Sequence, residues 1–193
     1  MIKFDEIKLH WNYFLALEKD VETLSRYVEF CEANSETFSI ELAHLLFAAA
    51  SEVDVVSKAF CKIKAPTAPC NNINDYRRII LNTLPGLPAA TVAVSRFGMT
   101  LTPWENWSDG HNPDWWQSYN KVKHERDQHF NQATLKNTLN AMAGLLVITF
   151  EYYHAAFAPP PGSGPWSTME QLQPRTSLFG LQGWHYLGLG GMS

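Results

Sequence analysis

Hydrophobic residues recur at the spacing of an α-helix along most of the chain. The first such segment places its apolar residues on one helix face, at steps of three and four: Phe14, Leu17, Val21, Leu24 and Val28. Charged residues such as Glu18 and Lys19 fall outside this stripe. The pattern predicts a helix over about 10–32 that packs one face against a core.

A second helix is predicted over about 39–61, after the cap-type residues at 35–37. It is apolar around most of its circumference, which predicts a central helix that is the most buried one of the fold. Its polar side chains occupy one sector about 160° wide, at 100° per residue: Glu41, His44, Ser51, Glu52, Asp54, Ser57 and Lys58. We expect this sector to face either solvent or a polar site.

Three more helices are predicted from the same kind of periodicity. A short helix covers about 72–84 and is stopped by the proline and glycine residues that follow it. A further helix covers about 114–125, and a long last helix covers about 132–157, before three consecutive prolines. Four or five helices of this length are enough to form a bundle.

Two segments lack helical periodicity. Residues 90–103 alternate valine with small residues around a turn near Gly98, which predicts a small hairpin or an extended insertion. Residues 159–193 are rich in glycine and proline and predict an irregular tail. The tail contains apolar aromatic residues that we expect to pack on the body or bind a partner protein: Trp166, Phe179, Trp184 and Tyr186.

Composition and charge narrow the functional classes. With 193 residues, 46% of them hydrophobic, and a net charge of −4, the chain can bury a core but has no broad basic surface for duplex nucleic acid. Its three cysteines form no C-x-x-C pair and indicate reduced thiols. The N-terminus has no apolar leader, and the longest apolar run, 141–150, is too short to span a bilayer. We therefore expect a cytoplasmic protein without a membrane segment.

The segment 115–126 is the one stretch that points to specific chemistry. Asn120 and His124 are four residues apart and share a helix face. Cations surround them: Lys121, Lys123 and Arg126. A neutral imidazole can act as a general base, and cations beside it can hold a phosphodiester. A structural role is the alternative, in which His124 packs between helices and bonds to an acid on the central helix.

This segment resembles the signature of the HEPN superfamily, all-α domains found among bacterial toxins, antitoxins, abortive-infection proteins and other ribonucleases. The signature is an Arg, usually followed by Asn or another polar residue, and a His four to six residues after the Arg. Asn120 and His124 match its Asn and His, whereas Tyr119 stands at the position of the Arg. The segment is also similar to a bacterial branch with the motif Tyr-Asn-x-x-Lys-His-x-Arg. The resemblance covers about 10–157 by helix order, with matching residues confined to 116–126.

The resemblance implies an RNA-directed protein of a defence or toxin–antitoxin system that acts without a metal or other cofactor, typically across a dimer interface. His124 would be the base or proton shuttle and Asn120 the orienting amide. Lys123 or Arg126 would be the phosphate clamp. Two further residues are expected to contact the substrate: Tyr119 and Lys121.

The departure at the Arg position leaves open whether the chain cleaves RNA. Tyr119 cannot supply the permanent positive charge of an arginine. Arg126 is the obvious substitute, but a continuous helix would place it about 200° from His124. It reaches the site only if the helix ends near residue 125, or if a second subunit supplies it.

Two carboxylates of the central helix, Glu52 and Asp54, are expected to support the site. Buried acids need partners, so we expect a cation or imidazole from 119–126 to pair with one of them. A purely structural ion-pair network is the alternative interpretation.

Metal binding is a competing hypothesis. Glu41-x-x-His44 and Glu151-x-x-His154 both have the Glu-x-x-His spacing of carboxylate-bridged di-iron helix bundles. Such a site must also take a carboxylate from each of two other helices.

Together these features predict an all-α fold, with a bundle of four or five helices over 1–158 and a Gly/Pro-rich tail over 159–193. The first functional hypothesis is a HEPN-like, RNA-directed protein that forms a homodimer. The alternatives are a non-catalytic dimerising interaction module and a di-metal helix-bundle protein.

Overall fold

The computed structural model describes residues 7–157 and 166–182. The helices are α1 (Leu9–Leu24), α2 (Ile40–Lys64), α3 (Ile73–Thr83), α4 (Asp114–His124), α5 (Arg126–His129), α6 (Leu135–Phe157) and α7 (Trp166–Gln171). The strands are β1 (Thr91–Val94), β2 (Met99–Leu101) and β3 (Gly180–Gln182). The fold is therefore mostly helical, as expected, but it also contains a small sheet and is not purely all-α.

Helices α2 and α6 run parallel at the centre of the bundle. They begin side by side, because Phe38 and Thr134 form a β-bridge and the Thr138 hydroxyl donates to the Leu42 carbonyl over 3.1 Å. Helices α1 and α4 each contact both members of this pair, and α3 packs on α2. Within the described residues, no helix is long and apolar enough to cross a membrane.

The most buried helix is α6, so the prediction that residues 39–61 would be the most buried was wrong. Every residue of α6 from 141 to 150 is buried. The reason is that α6 is covered by α1, α2, α4, α7 and β2. Helix α2 keeps one open face, with Ile40, Val55 and Ile63 exposed, although Leu45 and Leu46 are buried as expected.

Helix α1 ends earlier than its apolar periodicity predicts. It stops at Leu24, and the chain beyond it forms turns. Phe30 then packs against Phe97 of the hairpin, with ring centres 4.7 Å apart. The apolar spacing therefore continued past residue 24 because later side chains also enter the core, and not because the helix continues.

Of the hairpin and the extended insertion that the sequence allowed for 90–103, the structure has the hairpin, which forms part of a three-stranded antiparallel sheet. Strands β1 and β2 are joined through Gly98, which has a φ of 63°, a conformation that glycine adopts without strain. The strand order is β2-β1-β3, and Val92 faces Leu101 on one side and Leu181 on the other. The third strand comes from the tail, so the tail is not wholly irregular.

A buried carboxylate attaches the tail to α1. Glu18 is only 2% exposed, and its oxygens accept hydrogen bonds from the backbone N–H groups of residues 177–179 over 3.0–3.1 Å. The Trp11 indole also donates to the Pro174 carbonyl over 2.9 Å. The tail thus covers the side of α1 that carries Glu18, outside the predicted apolar stripe. Trp184 and Tyr186, which were expected to pack or to bind a partner, lie outside the described residues.

Candidate functional site

A bend at Glu125 shapes the segment that carries the HEPN-like motif. Helix α4 ends at His124, and Glu125 has φ −138° and ψ 56°, outside the helical region. Helix α5 then begins at Arg126. The bend lets the Arg126 guanidinium lie over the ring of Phe47 on α2, 5.1 Å from the ring centre. The helix end that Arg126 needs in order to approach the site is therefore present.

Tyr119 holds the second cation of this region. Its ring is 8% exposed and meets the ring of Phe47 edge-on, with centres 5.9 Å apart. The Lys123 ammonium donates to the Tyr119 hydroxyl over 3.2 Å and lies 5.2 Å from the ring centre. We call Phe47, Tyr119, Lys123 and Arg126 the cation–aromatic cluster. At the position where the HEPN signature has Arg, this chain has a neutral ring that binds a lysine.

The other three motif residues, His124, Lys121 and Asn120, have no side-chain contact with the cation–aromatic cluster among the described hydrogen bonds and ring contacts. His124 is exposed and makes no hydrogen bond or ion pair with any residue that the structure describes. Lys121 is also exposed, on the last turn of α4. The Asn120 amide donates to the Trp116 carbonyl of its own helix over 3.0 Å, so it does not orient the His124 ring here. The three cationic or imidazole side chains of this turn complement the negative end of the helix dipole.

The supporting acids of α2 pair elsewhere, so their predicted pairing with 119–126 was wrong. Glu52 Oε1 lies 2.6 Å from His10 Nδ1 on α1. Asp54 accepts hydrogen bonds from Lys58 and from the Tyr76 hydroxyl, both over 2.8 Å. The physical reason is the direction in which residues 119–130 pass along α2.

From Tyr119 to Phe130 the chain runs antiparallel to α2. Its ring contacts show this, since Tyr119 contacts Phe47 within α2 and Phe130 contacts Phe38 just before α2 begins. The motif therefore runs away from residues 52–54. Helix periodicity places these acids on α2 correctly, but the relative direction of two helices is not a local property of either segment.

Side chains that the sequence analysis missed brace the turn after α4. His129 Nε2 lies 3.1 Å from a Glu125 carboxylate oxygen, and its Nδ1 lies 3.4 Å from the Gln132 amide nitrogen. The Asn137 amide donates to the Gln132 carbonyl and to the Ser118 hydroxyl, over 2.9 and 3.0 Å. The turn is thereby tied to both α4 and α6. The only sequence signal for this bracing is the four-residue spacing of Glu125 and His129.

A second aromatic pair adjoins the turn. The rings of Phe38 and Phe130 meet edge to face, with centres 5.6 Å apart and planes at 87°. Phe130 follows α5 directly, and Phe38 is 47% exposed just before α2. No periodicity marks these residues, because both lie in short connecting segments.

The two Glu-x-x-His motifs do not form one metal site. Glu41 lies at the start of α2, beside the level of Thr138 on α6. Glu151 is 13 residues further along α6, which corresponds to about 20 Å. Among the described residues, no group of three or more His, Cys, Asp and Glu side chains is placed to hold a metal ion.

The second motif has a different role, since Glu151 is buried in α6 and His154 is half-buried there. Glu151 is 1% exposed, and desolvation raises the pKa of its carboxyl to about 8. Burial, together with the charge of Lys64, lowers the pKa of His154. The His154 Nδ1 lies 2.8 Å from the Thr168 hydroxyl of α7, so this motif joins α6 to the tail.

The chemistry of the candidate site follows from its side chains. Lys123 and Arg126 supply two positive charges beside one aromatic pair, and His124 supplies an accessible imidazole at the adjoining helix end. This combination suits a ligand in which an anion adjoins a group that can lose a proton, such as an RNA phosphodiester next to its 2′-hydroxyl. No family model, curated protein or solved structure matches this chain.

Proposed function

We propose that this chain is a HEPN-like, RNA-directed protein whose phosphodiester site is the cation–aromatic cluster together with His124. The observation that carries the proposal is the bend at Glu125, which brings Arg126 onto the aromatic pair that also binds Lys123. Two cations on the two rings of one aromatic pair can bind the free oxygens of a phosphate, which the uncharged Tyr119 side chain cannot do by ion pairing.

The proposed reaction is cleavage without metal. His124 takes the proton of a ribose 2′-hydroxyl while this oxygen attacks the adjacent phosphorus. The bond from phosphorus to the 5′-oxygen breaks, and the leaving oxygen takes a proton from water or from a second imidazole. Lys123 and Arg126 stabilise the negative charge that develops on the phosphate oxygens. Lys121 contacts a neighbouring phosphate, while the Asn120 amide stays on the Trp116 carbonyl of its own helix.

Binding is tested first, with a labelled single-stranded RNA and the double variant Lys123→Ala, Arg126→Ala. We expect an affinity loss of about tenfold or more and a smaller salt dependence, because two phosphate contacts are removed. Lys62→Ala is the matched control, since Lys62 is exposed at the far end of α2 and has no partner among the described residues. Equal binding by the wild type and the double variant would refute the proposed clamp.

Cleavage is tested with a mixed RNA pool in the presence of a chelator. His124→Ala is expected to lower the rate by about 10²–10⁴-fold, the usual contribution of a general base. Its melting temperature should stay that of the wild type, because His124 is exposed. Cleavage that survives this substitution, or that the chelator abolishes, would exclude His124 as the base of a metal-independent reaction.

A dimerising interaction module is the second candidate function. It is favoured by the open face of α2, where Ile40, Val55 and Ile63 are exposed. A wild-type protein that forms a stable dimer in solution, but neither binds nor cleaves RNA, would support this candidate and contradict the first one.

A further inference from the structure

The Phe38–Phe130 pair continues the candidate site along one strip of surface. Phe130 lies one turn after Arg126, which contacts Phe47, and Phe47 in turn contacts Tyr119. The most accessible ring of this strip is that of Phe38, at 47% exposure. From this arrangement we infer that Phe38 and Phe130 form a stacking subsite for an unpaired base of single-stranded RNA. The inference rests on the proposed function, and it specifies the substrate class of that site.

The exposed ring of Phe38 is held on a rigid frame. Its backbone forms a β-bridge with Thr134, and the preceding carbonyl, that of Thr37, accepts a hydrogen bond from Leu135 over 2.8 Å. On its other side the Ser39 hydroxyl caps α2 by accepting from the Leu42 N–H over 3.2 Å. A ring fixed in this way loses little conformational freedom when a base stacks on it.

The charges at the α4–α5 end of the strip favour a nucleic acid over an apolar protein partner, whereas two exposed acids, Glu36 and Glu41, flank Phe38 in the chain. Between residues 121 and 129 the exposed side chains include three permanent cations and two acids, and one of these acids, Glu125, is engaged by His129. Aromatic rings that alternate with cations are the usual means of binding single strands, because every base has a face that can stack. An A-form duplex keeps its base faces stacked inside the helix, so it cannot use such a ring.

The subsite is tested with three ligands of equal length: a single-stranded RNA, the same backbone with abasic residues, and an RNA duplex. Phe38→Ala is expected to weaken binding of the single strand by about 5- to 150-fold, the range for loss of one stacked base. Binding of the abasic strand should not change, and Phe38→Trp should restore the affinity for RNA. Tyr27→Ala is the control, because Tyr27 is an exposed aromatic residue outside the strip.

The outcomes separate the two proposals. If the wild type binds none of the three ligands, the proposed function fails, and the subsite fails with it. If RNA binding depends on Lys123 and Arg126 but is the same in Phe38→Ala as in the wild type, only the stacking inference is overturned. An equal loss for the RNA and abasic strands would also overturn it, as would a Phe38→Ala variant that changes the oligomeric state and not RNA affinity. Circular dichroism of each variant confirms that it is folded.

Discussion

Replacement of Glu151 by glutamine is expected to stabilise the protein at neutral pH. Glu151 is buried in α6, and its Oε1 has no hydrogen-bond partner among the described residues. Desolvation raises the pKa of its carboxyl from the ordinary value of 4.5 to about 8, and the charge of Lys64 offsets only part of this effect. The folded protein therefore holds a neutral carboxyl where the unfolded chain has an ionised one.

The magnitude follows from the linkage between protonation and folding. Above the unfolded pKa and up to the folded pKa, the folded state keeps a proton that the unfolded state has lost. Each pH unit in this window lowers the free energy of unfolding by about 1.4 kcal/mol, and the whole window by about 5 kcal/mol. Above the folded pKa both states are ionised, so the penalty stops growing. Glu151→Gln removes this pH-dependent penalty and retains the shape of the side chain.

The assay is thermal unfolding of the wild type and Glu151→Gln between pH 5 and 8 at constant ionic strength. The difference in melting temperature should grow by about 5–11 °C between pH 5 and pH 7, since this change corresponds to nearly 3 kcal/mol. Glu32→Gln is the matched control, because it makes the same charge change at an exposed side chain. A difference that is constant across this pH range would show that Glu151 is ionised in the fold, and would refute the desolvation argument.

Three further substitutions test the packing. Glu18→Gln should lower the free energy of unfolding by about 3 kcal/mol, because it removes a charged acceptor of buried N–H groups. It should also speed trypsin cleavage after the exposed Arg175, and an unchanged cleavage rate would contradict the anchoring role. Gly144→Ala places a Cβ 3.0 Å from the Trp115 ring, so urea unfolding should show a loss of about 1–3 kcal/mol; a neutral result would mean that the ring moves aside. Tyr76→Phe removes a hydroxyl bond to α2 and should cost about 1 kcal/mol in the same urea assay; full wild-type stability would show that this bond contributes nothing.

The positions of five helices, α1 to α4 and α6, could be predicted from the sequence, apart from the C-terminal end of α1, because helical periodicity is a local property. The segment 39–61 closely matches α2 (Ile40–Lys64), and 132–157 closely matches α6 (Leu135–Phe157). For 90–103, alternation around Gly98 predicted a hairpin or an extended insertion, and the structure has the hairpin. In each case a few neighbouring residues carry enough information, since the apolar period differs between helix and strand.

Burial and charge pairing could not be predicted in the same way. Both α2 and α6 are strongly apolar, but α6 has two charged residues against six in α2, and it is also covered by more of the other elements. Glu18 has the spacing of a surface residue, yet the tail returns and buries it. Each of these outcomes depends on contacts between segments that are far apart in the chain.

For the candidate site, the sequence by itself determined the motif residues at 119–126 and the chemistry they offer. Their arrangement was decided by the tertiary structure. The bend at Glu125 directs Arg126 toward Phe47, and the antiparallel course of the motif along α2 separates it from Glu52 and Asp54. The physical reason is that the chemistry of a residue is set by its own side chain, whereas its distance to a partner depends on how the helices pack against each other.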